Sequence, residues 1–504
     1  MTFQLFDTLR SSLVTPRWRT PGVATIYACG PTVYNYIHVG NARPAVVFDV
    51  LARHLRATGM KVTFVRNFTD IDDKIIKAAG DAHEEPRAFA QRYIDAYIED
   101  TAALNCRRPD FEPRVSEHMP EIIAMIEKLI ANKHAYERDG DVYFAVRTFD
   151  EYGKLSKRGL EDLRAGERVA VDDRKDDPLD FALWKSAKPH EPAGARWASP
   201  WGEGRPGWHV ECSAMAGKIL GDDFDIHGGG LDLIFPHHEN EIAQSECATG
   251  HRFAQCWMHN GFININDAKM SKSTMDDMGW RKTYFMLRNV LEHVDAQGVR
   301  LWLLGTHYRS PLNFEIAADD ENSPHPKVRF PGLEEAERRA EYFYETRARL
   351  AAKFGDKAPP TWGKPVTPAI QALRDAFCAA MDDDLNTAGA LAPVAELFKR
   401  ANELCDGGKK DAPEAQAVID TIAYVTDVLG VGEGDPEAFF ERVRTRRVTA
   451  RGIDPAEIDG QVAARNDARK AKNFARADEI RKDLLAWGIE VRDTPGGGSS
   501  WRAV

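Results

Sequence analysis

Two cysteines, a histidine and a glutamate carry the most distinctive chemistry in the chain. His237 and Glu241 are four residues apart, so a helix there places both side chains on one face. Cys29 ends the first predicted strand, and Cys212 lies far along the chain. Two thiolates, an imidazole and a carboxylate suit tetrahedral zinc. Taken singly, each residue also has a structural interpretation, as a core side chain or as a simple His–Glu pair. His238, three residues before Glu241, is an alternative to His237.

A second group of residues suits phosphate chemistry, because it joins the first predicted strand to the first predicted helix. A helix N-terminus offers free N–H groups and a partial positive charge, where a triphosphate would sit. His38 can donate a hydrogen bond to a phosphate, and Gly40 lets a flat base approach the backbone. Taken alone, a His-x-Gly tripeptide is common, and helix capping or loop packing is its preferred interpretation. The turn reads Cys29-Gly30-Pro31-Thr32-Val33-Tyr34-Asn35-Tyr36-Ile37-His38-Val39-Gly40-Asn41.

The lysine loop, residues 269–273, has the sequence Lys269-Met270-Ser271-Lys272-Ser273. Two lysines separated by two residues in a polar loop can together neutralise a departing pyrophosphate. Most lysine- and serine-containing loops are merely solvated. This pentapeptide is rare, however, and its position after a strand–helix nucleotide site favours phosphate binding.

The elements that must position these residues alternate between strand and helix. Residues 22–28 and 61–66 predict strands, residues 38–58 predict a helix that Gly59 ends, and another helix follows residue 73. This order predicts an α/β fold with a doubly wound parallel (Rossmann-like) sheet, which binds ligands beyond the C-terminal ends of its strands. Because Cys29 and a strand at 224–227 both end on that side, the pattern favours a metal there.

Changes in pattern along the chain predict several units. We expect a nucleotide-binding catalytic domain in two halves, 1–116 and 207–262, interrupted by an irregular connective insertion at 117–206. A segment with the lysine loop follows at 263–316, and a polar linker at 317–332. Amphipathic runs at 333–354 and 388–404 predict an α-helical bundle over 333–433, and residues 434–504 form a last small unit.

Composition sets the class of protein. A chain of 504 residues is too long for a single hydrophobic core. Its content of 43% hydrophobic and 29% charged residues is typical of globular proteins. Seven scattered cysteines without a CxxC pair fit a reducing compartment. No signal peptide or membrane-spanning stretch is evident, so we expect a soluble, cytoplasmic protein with no membrane partner.

The net charge of −11 argues against indiscriminate nucleic-acid binding but permits a local basic surface. Residues 465–482 contain seven basic and three acidic side chains, 7 − 3 = +4. By charge alone, a solvated helix face is the preferred interpretation of this stretch. The basic residues are Arg465, Arg469, Lys470, Lys472, Arg476, Arg481 and Lys482.

Taken together, these segments resemble class I aminoacyl-tRNA synthetases, and within them the cysteinyl-tRNA synthetase family. The turn at His38 corresponds to the family's His-Ile-Gly-His signature, and the lysine loop to its Lys-Met-Ser-Lys-Ser. Two departures are that Asn41 replaces the second histidine, and that residues 274–289 form a longer stretch than the family's pattern. Further matches run nearly end to end, at 67–76, 208–215, 227–233, 236–245, 307–313, 381–387, 475–481 and 488–495.

The resemblance implies a function for each candidate residue. One Zn²⁺ would bind the thiolate of the substrate cysteine. Its protein ligands would be Cys29, Cys212, His237 and Glu241, so the resemblance selects His237 rather than His238. The amino-acid pocket would be lined by Cys29, Thr69, Trp208 and His227. ATP, with Mg²⁺ accompanying it, would contact Gly40 and Asp232 together with the phosphate-binding, catalytic residues His38, Asn41, Lys269 and Lys272.

The resemblance also implies partners and alternatives. The RNA partner would be tRNA(Cys). Residues 263–316 would contact its stem, and the basic stretch at 465–482 would contact its anticodon arm. The enzyme would be a monomer. The insertion is too short for an editing domain. A related ligase that joins cysteine to an amino sugar lacks such a tail. A non-catalytic RNA-binding paralogue would have lost signature lysines or zinc ligands, and a metal-storage role leaves the lysine loop unexplained.

Overall fold

The computed structural model describes residues 2–159, 174–189, 191–266, 268–269, 279–320, 323, 327–355, 367–407, 412–493 and 498–503. An antiparallel strand pair precedes the main sheet, formed by β1 (Leu5–Asp7) and β2 (Ser12–Val14). Among the described helices, none combines the length and the apolar character that crossing a bilayer would require.

The first half of the main sheet follows the predicted strand–helix order. Two buried, β-branched strands are connected by a long helix that begins at the side-chain cap of His38. The predicted helix and strand positions are confirmed to within one residue at each end. The elements are β3 (Val23–Ala28), α1 (Val39–Ala57), β4 (Lys61–Arg66), α2 (Asp73–Asp81) and α3 (Pro86–Ala103).

The insertion contains regular structure where the sequence pattern predicted irregularity. One helix packs beside a four-stranded antiparallel sheet of order β5-β6-β7-β8. The strands are short and widely spaced along the chain, so no long periodic run marks them in the sequence. The elements are α4 (Met119–Ala131), β5 (Ala135–Arg138), β6 (Asp141–Phe144), β7 (Phe181–Ser186) and β8 (Gly204–Pro206).

The second half completes a parallel sheet of order β10-β9-β3-β4. The predicted strand at 224–227 continues through the following three glycines. Glycine fits there because the sheet is too crowded for side chains. A Cβ added to Gly228 would lie 2.3 Å from the Met258 carbonyl oxygen and 2.4 Å from the Phe48 ring. The elements are α5 (Trp208–Leu220), β9 (Phe224–Gly230), α6 (Glu239–Thr249) and β10 (Ala254–Asn260).

The direction of winding reverses between β3 and β9. The chain passes from β3 through α1 to β4 on one side, and from β9 through α6 to β10 on the other. Adjacent strands that wind in opposite directions leave a crevice beyond their C-terminal ends, which is where such sheets bind ligands. The confirmed doubly wound topology therefore places the ends of β3 and β9 at the expected site.

A small second sheet of order β12-β11-β13 carries the start of the lysine loop. Part of the predicted polar linker is ordered as an antiparallel pair, β14 with β15. The elements are β11 (Ile263–Ile265), β12 (Ala268–Lys269), α7 (Arg281–Phe285), α8 (Leu287–Leu291), α9 (Ala296–Leu304), β13 (Leu312–Phe314), β14 (Ala317–Ala318) and β15 (Val328–Arg329).

The remainder is mostly helical, as predicted. The bundle packs on the catalytic domain within one continuous core, and a separate small core at the C-terminus surrounds Ile458 and Val491. The elements are α10 (Pro331–Phe354), α11 (Pro368–Asp382), α12 (Thr387–Asp406), α13 (Ala412–Leu429), α14 (Pro436–Thr449), α15 (Pro455–Lys470), α16 (Phe474–Ala486), β16 (Ile489–Asp493) and β17 (Ser499–Ala503).

Candidate active site and metal centre

The crevice between β3 and β9 brings together the four predicted metal ligands. The sulfur of Cys29, directly after β3, lies 3.7 Å from the sulfur of Cys212 in α5 and 3.5 Å from Oε1 of Glu241 in α6. The same Oε1 is 2.9 Å from Nε2 of His237. One ligand atom from each of these side chains lies within 4.8 Å of the others. Residues from three separated segments thus converge on one point.

Burial and mutual contact shift the ionisation of this cluster. Burial and the contacts with Cys212 and Glu241 raise the pKa of Cys29 well above its usual value. The hydrogen bond from Cys29 lowers the pKa of Cys212 to about 6. Burial opposes charge on His237, but Glu241 and Cys212 raise its pKa to about 10. The Cys212 thiolate is therefore favoured, and a thiolate is the form of cysteine that binds metals.

A second set of four side chains overlaps the first. Cys29 and Glu241 also lie within the same 4.8 Å of His227 and His238. Nε2 of His227 is 2.8 Å from Oε2 of Glu241, and Nε2 of His238 is 3.3 Å from the sulfur of Cys29. Nδ1 of His238 lies 2.7 Å from Nε2 of His259, which the sequence did not single out. An isolated histidine in a strand has no pattern that would reveal such a contact.

The backbone bends directly before the two neighbouring histidines. The backbone is extended at Phe235, with φ of −139° and ψ of 132°, and is right-handed helical at His238, directly before α6 begins at Glu239. In a regular helix, adjacent side chains diverge by about 100°. Residues three and four positions before Glu241 nevertheless both return to its face of the helix, so helical spacing alone does not choose between His237 and His238.

The predicted amino-acid pocket adjoins the cluster. The indole of Trp208 stacks on the imidazole of His237 with ring centroids 4.3 Å apart, and Trp208 is 37% exposed. Thr69 is buried, and its hydroxyl donates to Oε2 of Glu211 at 3.3 Å. Burial raises the pKa of Glu211 well above its usual value. His227 is fully buried.

The predicted phosphate-binding turn forms a reciprocal helix cap. The Asn41 N–H donates to Nδ1 of His38, and the His38 N–H donates to Oδ1 of Asn41, both at 3.2 Å. The cap uses only the oxygen of the Asn41 amide, so its Nδ2 donors are not part of it. Burial lowers the pKa of His38 to about 4, which makes the ring neutral at physiological pH.

Gly40 is required by the close packing of this turn. A Cβ added there would lie 2.9 Å from the His38 ring. That ring stacks on Phe285 at 5.0 Å, downstream of the lysine loop. The turn is therefore rigid and held from both sides.

The remaining predicted phosphate and nucleotide contacts are placed only in part. Lys269 lies in β12, where its backbone pairs with Asn264 of β11, and its side chain is not described. Lys272 lies outside the described residues. Asp232 lies in a short turn directly after β9, where burial raises its pKa.

The basic tail is partly neutralised within its own domain. Arg465 and Arg469 both pair with Asp493, at 2.8 and 2.5 Å. Arg476 pairs with Glu479 on the same helix. Three further basic side chains are exposed, as is the ring of Phe474 at the start of α16: Lys472, Arg481 and Lys482. The positive charge that this stretch presents to solvent is therefore smaller than the +4 counted from the sequence.

Comparison with known families assigns three consecutive regions of the chain. Residues 18–321 match the family described as tRNA synthetases class I (C) catalytic domain. Residues 376–433 match the DALR domain, and residues 455–502 match the cysteinyl-tRNA ligase anticodon binding domain.

Curated relatives match over nearly the whole length. The chain is 50% identical over 483 residues to a cysteine–tRNA ligase of Alkalilimnicola ehrlichii, covering 96% of each chain. It is 48% identical over 512 residues to a cysteine–tRNA ligase of Anaeromyxobacter sp. strain K, covering 100% of each.

Solved structures share the fold at low identity. Mycobacterium tuberculosis methionyl-tRNA synthetase, solved with methionyl-adenylate, matches with a TM-score of 0.55 at 14% identity, covering 84% of this chain and 93% of that one. The LeuRS of an Agrobacterium radiobacter K84 ternary complex matches with a TM-score of 0.54 at 11% identity, covering 86% of each.

Proposed function

Because the chain belongs to the cysteine–tRNA ligase family of class I synthetases, we propose that the side chains around Cys29 form its amino-acid site and those around His38 its ATP site. The enzyme activates cysteine with ATP, giving cysteinyl-adenylate and pyrophosphate, and then transfers the cysteinyl group to tRNA with release of AMP. The observation that carries the assignment of the site is the convergence of Cys29, Cys212, His237 and Glu241 beyond the end of β3.

The donor set of this cluster fits zinc. Two sulfurs bound to one tetrahedral zinc at about 2.3 Å each lie about 3.8 Å apart, and the sulfurs of Cys29 and Cys212 are 3.7 Å apart. When bound, zinc supplies a soft Lewis acid that prefers the substrate thiolate to the neutral hydroxyl of serine. Discrimination between a metal-binding thiolate and a neutral hydroxyl makes an editing domain unnecessary.

The first set of ligands is favoured over the second because it contains both thiols. In our proposal His227 and His238 instead orient the ligands. One ring nitrogen of His227 contacts Glu241, and one ring nitrogen of His238 contacts Cys29. The other nitrogen of each ring contacts a further group. For His227 that further group is the Tyr27 carbonyl oxygen, 3.0 Å away. Outer contacts of this kind fix the direction of metal ligands. Trp208 and Thr69 line the space that the substrate ammonium and carboxylate would occupy.

Catalysis of activation rests on positioning and charge. The cysteine carboxylate attacks the α-phosphorus of ATP, the bond to the bridging oxygen breaks, and pyrophosphate leaves with the electron pair. Neutral His38 and the Nδ2 donors of Asn41 contribute hydrogen bonds to the phosphates, and Lys269 and Lys272 contribute positive charge. Gly40 and Asp232 contact the nucleoside, and Mg²⁺ accompanies ATP.

The remaining regions serve the RNA substrate. We assign residues 263–316 to contact with the tRNA stem, the helices to a linking bundle, and the C-terminal domain to the anticodon of tRNA(Cys). Lys472, Arg481 and Lys482 supply phosphate contacts there. The working form is a cytoplasmic monomer. An amino-sugar ligase is disfavoured because the C-terminal match to an anticodon-binding domain has no use in that reaction.

The test is cysteine-dependent exchange of labelled pyrophosphate into ATP, followed by charging of tRNA(Cys). We expect exchange with cysteine, none above background with serine, and transfer to tRNA. Exchange without transfer to tRNA, with transfer to an amino sugar instead, would contradict the proposal.

A further inference from the structure

Arg43 is a fully buried arginine in the first turns of α1, two residues beyond Asn41 and five beyond His38. No carboxylate among the described residues forms an ion pair with it. Its guanidinium instead donates to four backbone carbonyls. Because a buried charge without a counter-ion is costly, this arrangement needs a reason beyond packing.

The four carbonyls belong to two segments outside α1. Nη1 donates to the carbonyl oxygens of Gly261 and Phe262, each at 2.8 Å. Nη2 donates to those of His307 and Ser310, at 3.2 and 2.7 Å. The planar guanidinium offers its donors in a fixed fork, so it sets both the distance and the orientation of these segments relative to α1.

The first of these segments leads directly to the lysine loop. Phe262 precedes β11, and β11 pairs with β12 through Asn264 and Lys269. The second segment is itself held from the bundle, where Asp384 accepts from the Tyr308 hydroxyl at 2.7 Å. Thus one side chain joins the helix that begins at His38 to the strand pair that carries Lys269.

We propose that Arg43 is a positioning residue that sets the separation between the His38–Asn41 turn and the strand pair β11–β12, so that the turn and the lysines that begin at the end of β12 act on the phosphates of one ATP. This inference rests on the proposed function of those two segments. Because Arg43 is fully buried and its Nη donors bind backbone carbonyls, we assign it no direct contact with substrate or phosphate. Burial lowers the pKa of Arg43 to about 10, so the guanidinium remains charged at neutral pH.

The close contact between the two segments that Arg43 binds supports its role in setting their relative position. The Gly261 N–H donates to the Tyr308 carbonyl oxygen at 2.7 Å. A Cβ added to Gly261 would lie 2.5 Å from the Ser310 carbonyl oxygen and 2.6 Å from that of Arg309. The segments are therefore in contact. Substitution of Gly261 would move them apart while the Arg43 side chain itself is retained.

The test compares Arg43→Lys and Gly261→Ala with the wild-type enzyme in full-length protein. Lysine keeps the charge but concentrates its donors on one nitrogen, so it cannot hold four carbonyls in the same geometry. We expect kcat for cysteine-dependent pyrophosphate exchange to fall roughly 10²-fold in both variants, as a misplacement of about 1 Å does. Binding of labelled cysteine without ATP should stay within about twofold, because the cysteine site does not depend on this separation.

Arg300→Lys is the matched control. Arg300 is equally buried, bonds to the Leu104 and Leu429 carbonyl oxygens, and pairs with Asp49 in the same helix α1, away from the phosphate-binding turn. At a similar loss of thermal stability, Arg300→Lys should keep exchange within a few-fold of wild type.

Unchanged kcat in Arg43→Lys and Gly261→Ala would overturn the inference, as would a parallel loss of ATP-independent cysteine binding. A loss of exchange that Arg300→Lys reproduces at equal stability would also overturn it. Absence of exchange in the wild-type enzyme would be a different result, since it would contradict the proposed function itself.

Discussion

Glu337 in α10 and Arg447 in α14 form an ion pair with Oε2 and Nη2 2.6 Å apart. Oε1 of the same glutamate accepts from Arg446 and from the backbone N–H of Asp295. These contacts fix α14 to the bundle, whereas Val448 at its end packs in the C-terminal core. Helix α14 therefore belongs to the bundle along most of its length and carries the C-terminal domain at its end.

Removing residues 455–504 should separate the two half-reactions. The predicted boundary at 434 would also remove α14 and its contacts with the bundle, so the deletion is best made after that helix. We expect cysteine-dependent pyrophosphate exchange to remain within about threefold, while transfer to tRNA falls at least roughly 10²-fold as the anticodon contacts disappear. The slope of log Kd for tRNA against log salt should decrease by about one for each phosphate contact that the truncation removes. Charging of tRNA by the truncated enzyme at the wild-type rate would rule out anticodon binding by this domain.

Glu337→Gln should destabilise the docking of α14. The buried carboxylate accepts from two arginines. Its neutral replacement leaves Arg446 without a carboxylate partner among the described residues and Arg447 with Glu341 alone, at a cost of about 2 kcal/mol. Thermal unfolding should show the loss as a lower Tm. The control is Glu335→Gln, because Glu335 makes an exposed i,i+4 pair with Arg339 on the same helix. Loss of such an exposed pair should change Tm little. Equal Tm values for the two variants would contradict a structural role for the Glu337 pairs.

Zinc should be present at about one ion per chain in purified enzyme, because four convergent ligands bind it tightly. Cys212→Ser should lower the zinc content, measured by elemental analysis, and raise KM for cysteine strongly with a smaller effect on KM for ATP. Cys256→Ser is the control, since Cys256 is equally buried but lies in β10 outside the cluster. Active wild-type enzyme without zinc would refute the metal assignment.

The choice between the adjacent histidines can be tested by the same measurement. His237→Ala should lose most of the zinc, because His237 belongs to the set with two thiols. His238→Ala should retain it with an affinity reduced roughly 10- to 100-fold, as expected when an orienting side chain is removed. The reverse order of zinc loss would assign the metal to the second set of side chains.

His38 should make the folded enzyme less stable in mild acid. Burial lowers its pKa from 6.5 to about 4, so the folded chain resists protonation that the unfolded chain accepts. Stability is therefore full above pH 6.5 and is lost as the pH falls toward 4, by about 2 kcal/mol at pH 5. Comparing Tm of wild type and His38→Asn at pH 7.5 and 5.0, without ATP, should show the larger decrease in wild type. Parallel decreases would mean that His38 titrates normally.

Lys272→Ala should reduce kcat for adenylate formation by roughly 10²-fold, because a positive charge is lost from the transition state. Cysteine binding without ATP should barely change. Lys77→Ala removes an exposed lysine from α2 and serves as the control. Wild-type exchange by the Lys272 variant would give the lysine loop a structural role only.

Local sequence patterns were sufficient for the elements that first shape the site. Strand β4 was predicted at its observed bounds, and β3 and α1 to within one residue, because apolar periodicity and a glycine stop depend on neighbouring residues alone. The order of strands and helices then required a parallel sheet with its ligands at one edge. Cys29, Cys212, Glu241 and the pair of His237 and His238 could likewise be named from the sequence, whereas the choice of His237 over His238 rested on the family resemblance.

Tertiary structure decided what depends on contacts between distant segments. The regular sheet of the insertion, the approach of both His237 and His238 to one cluster, and the attachment of α14 to the bundle were not predicted. Arg43 is the clearest case, because its partners are backbone carbonyls. Every residue has a carbonyl, so the sequence around Gly261 and Ser310 carries no mark of the contact. Only the packing of α1 against those segments determines which carbonyls a buried guanidinium meets.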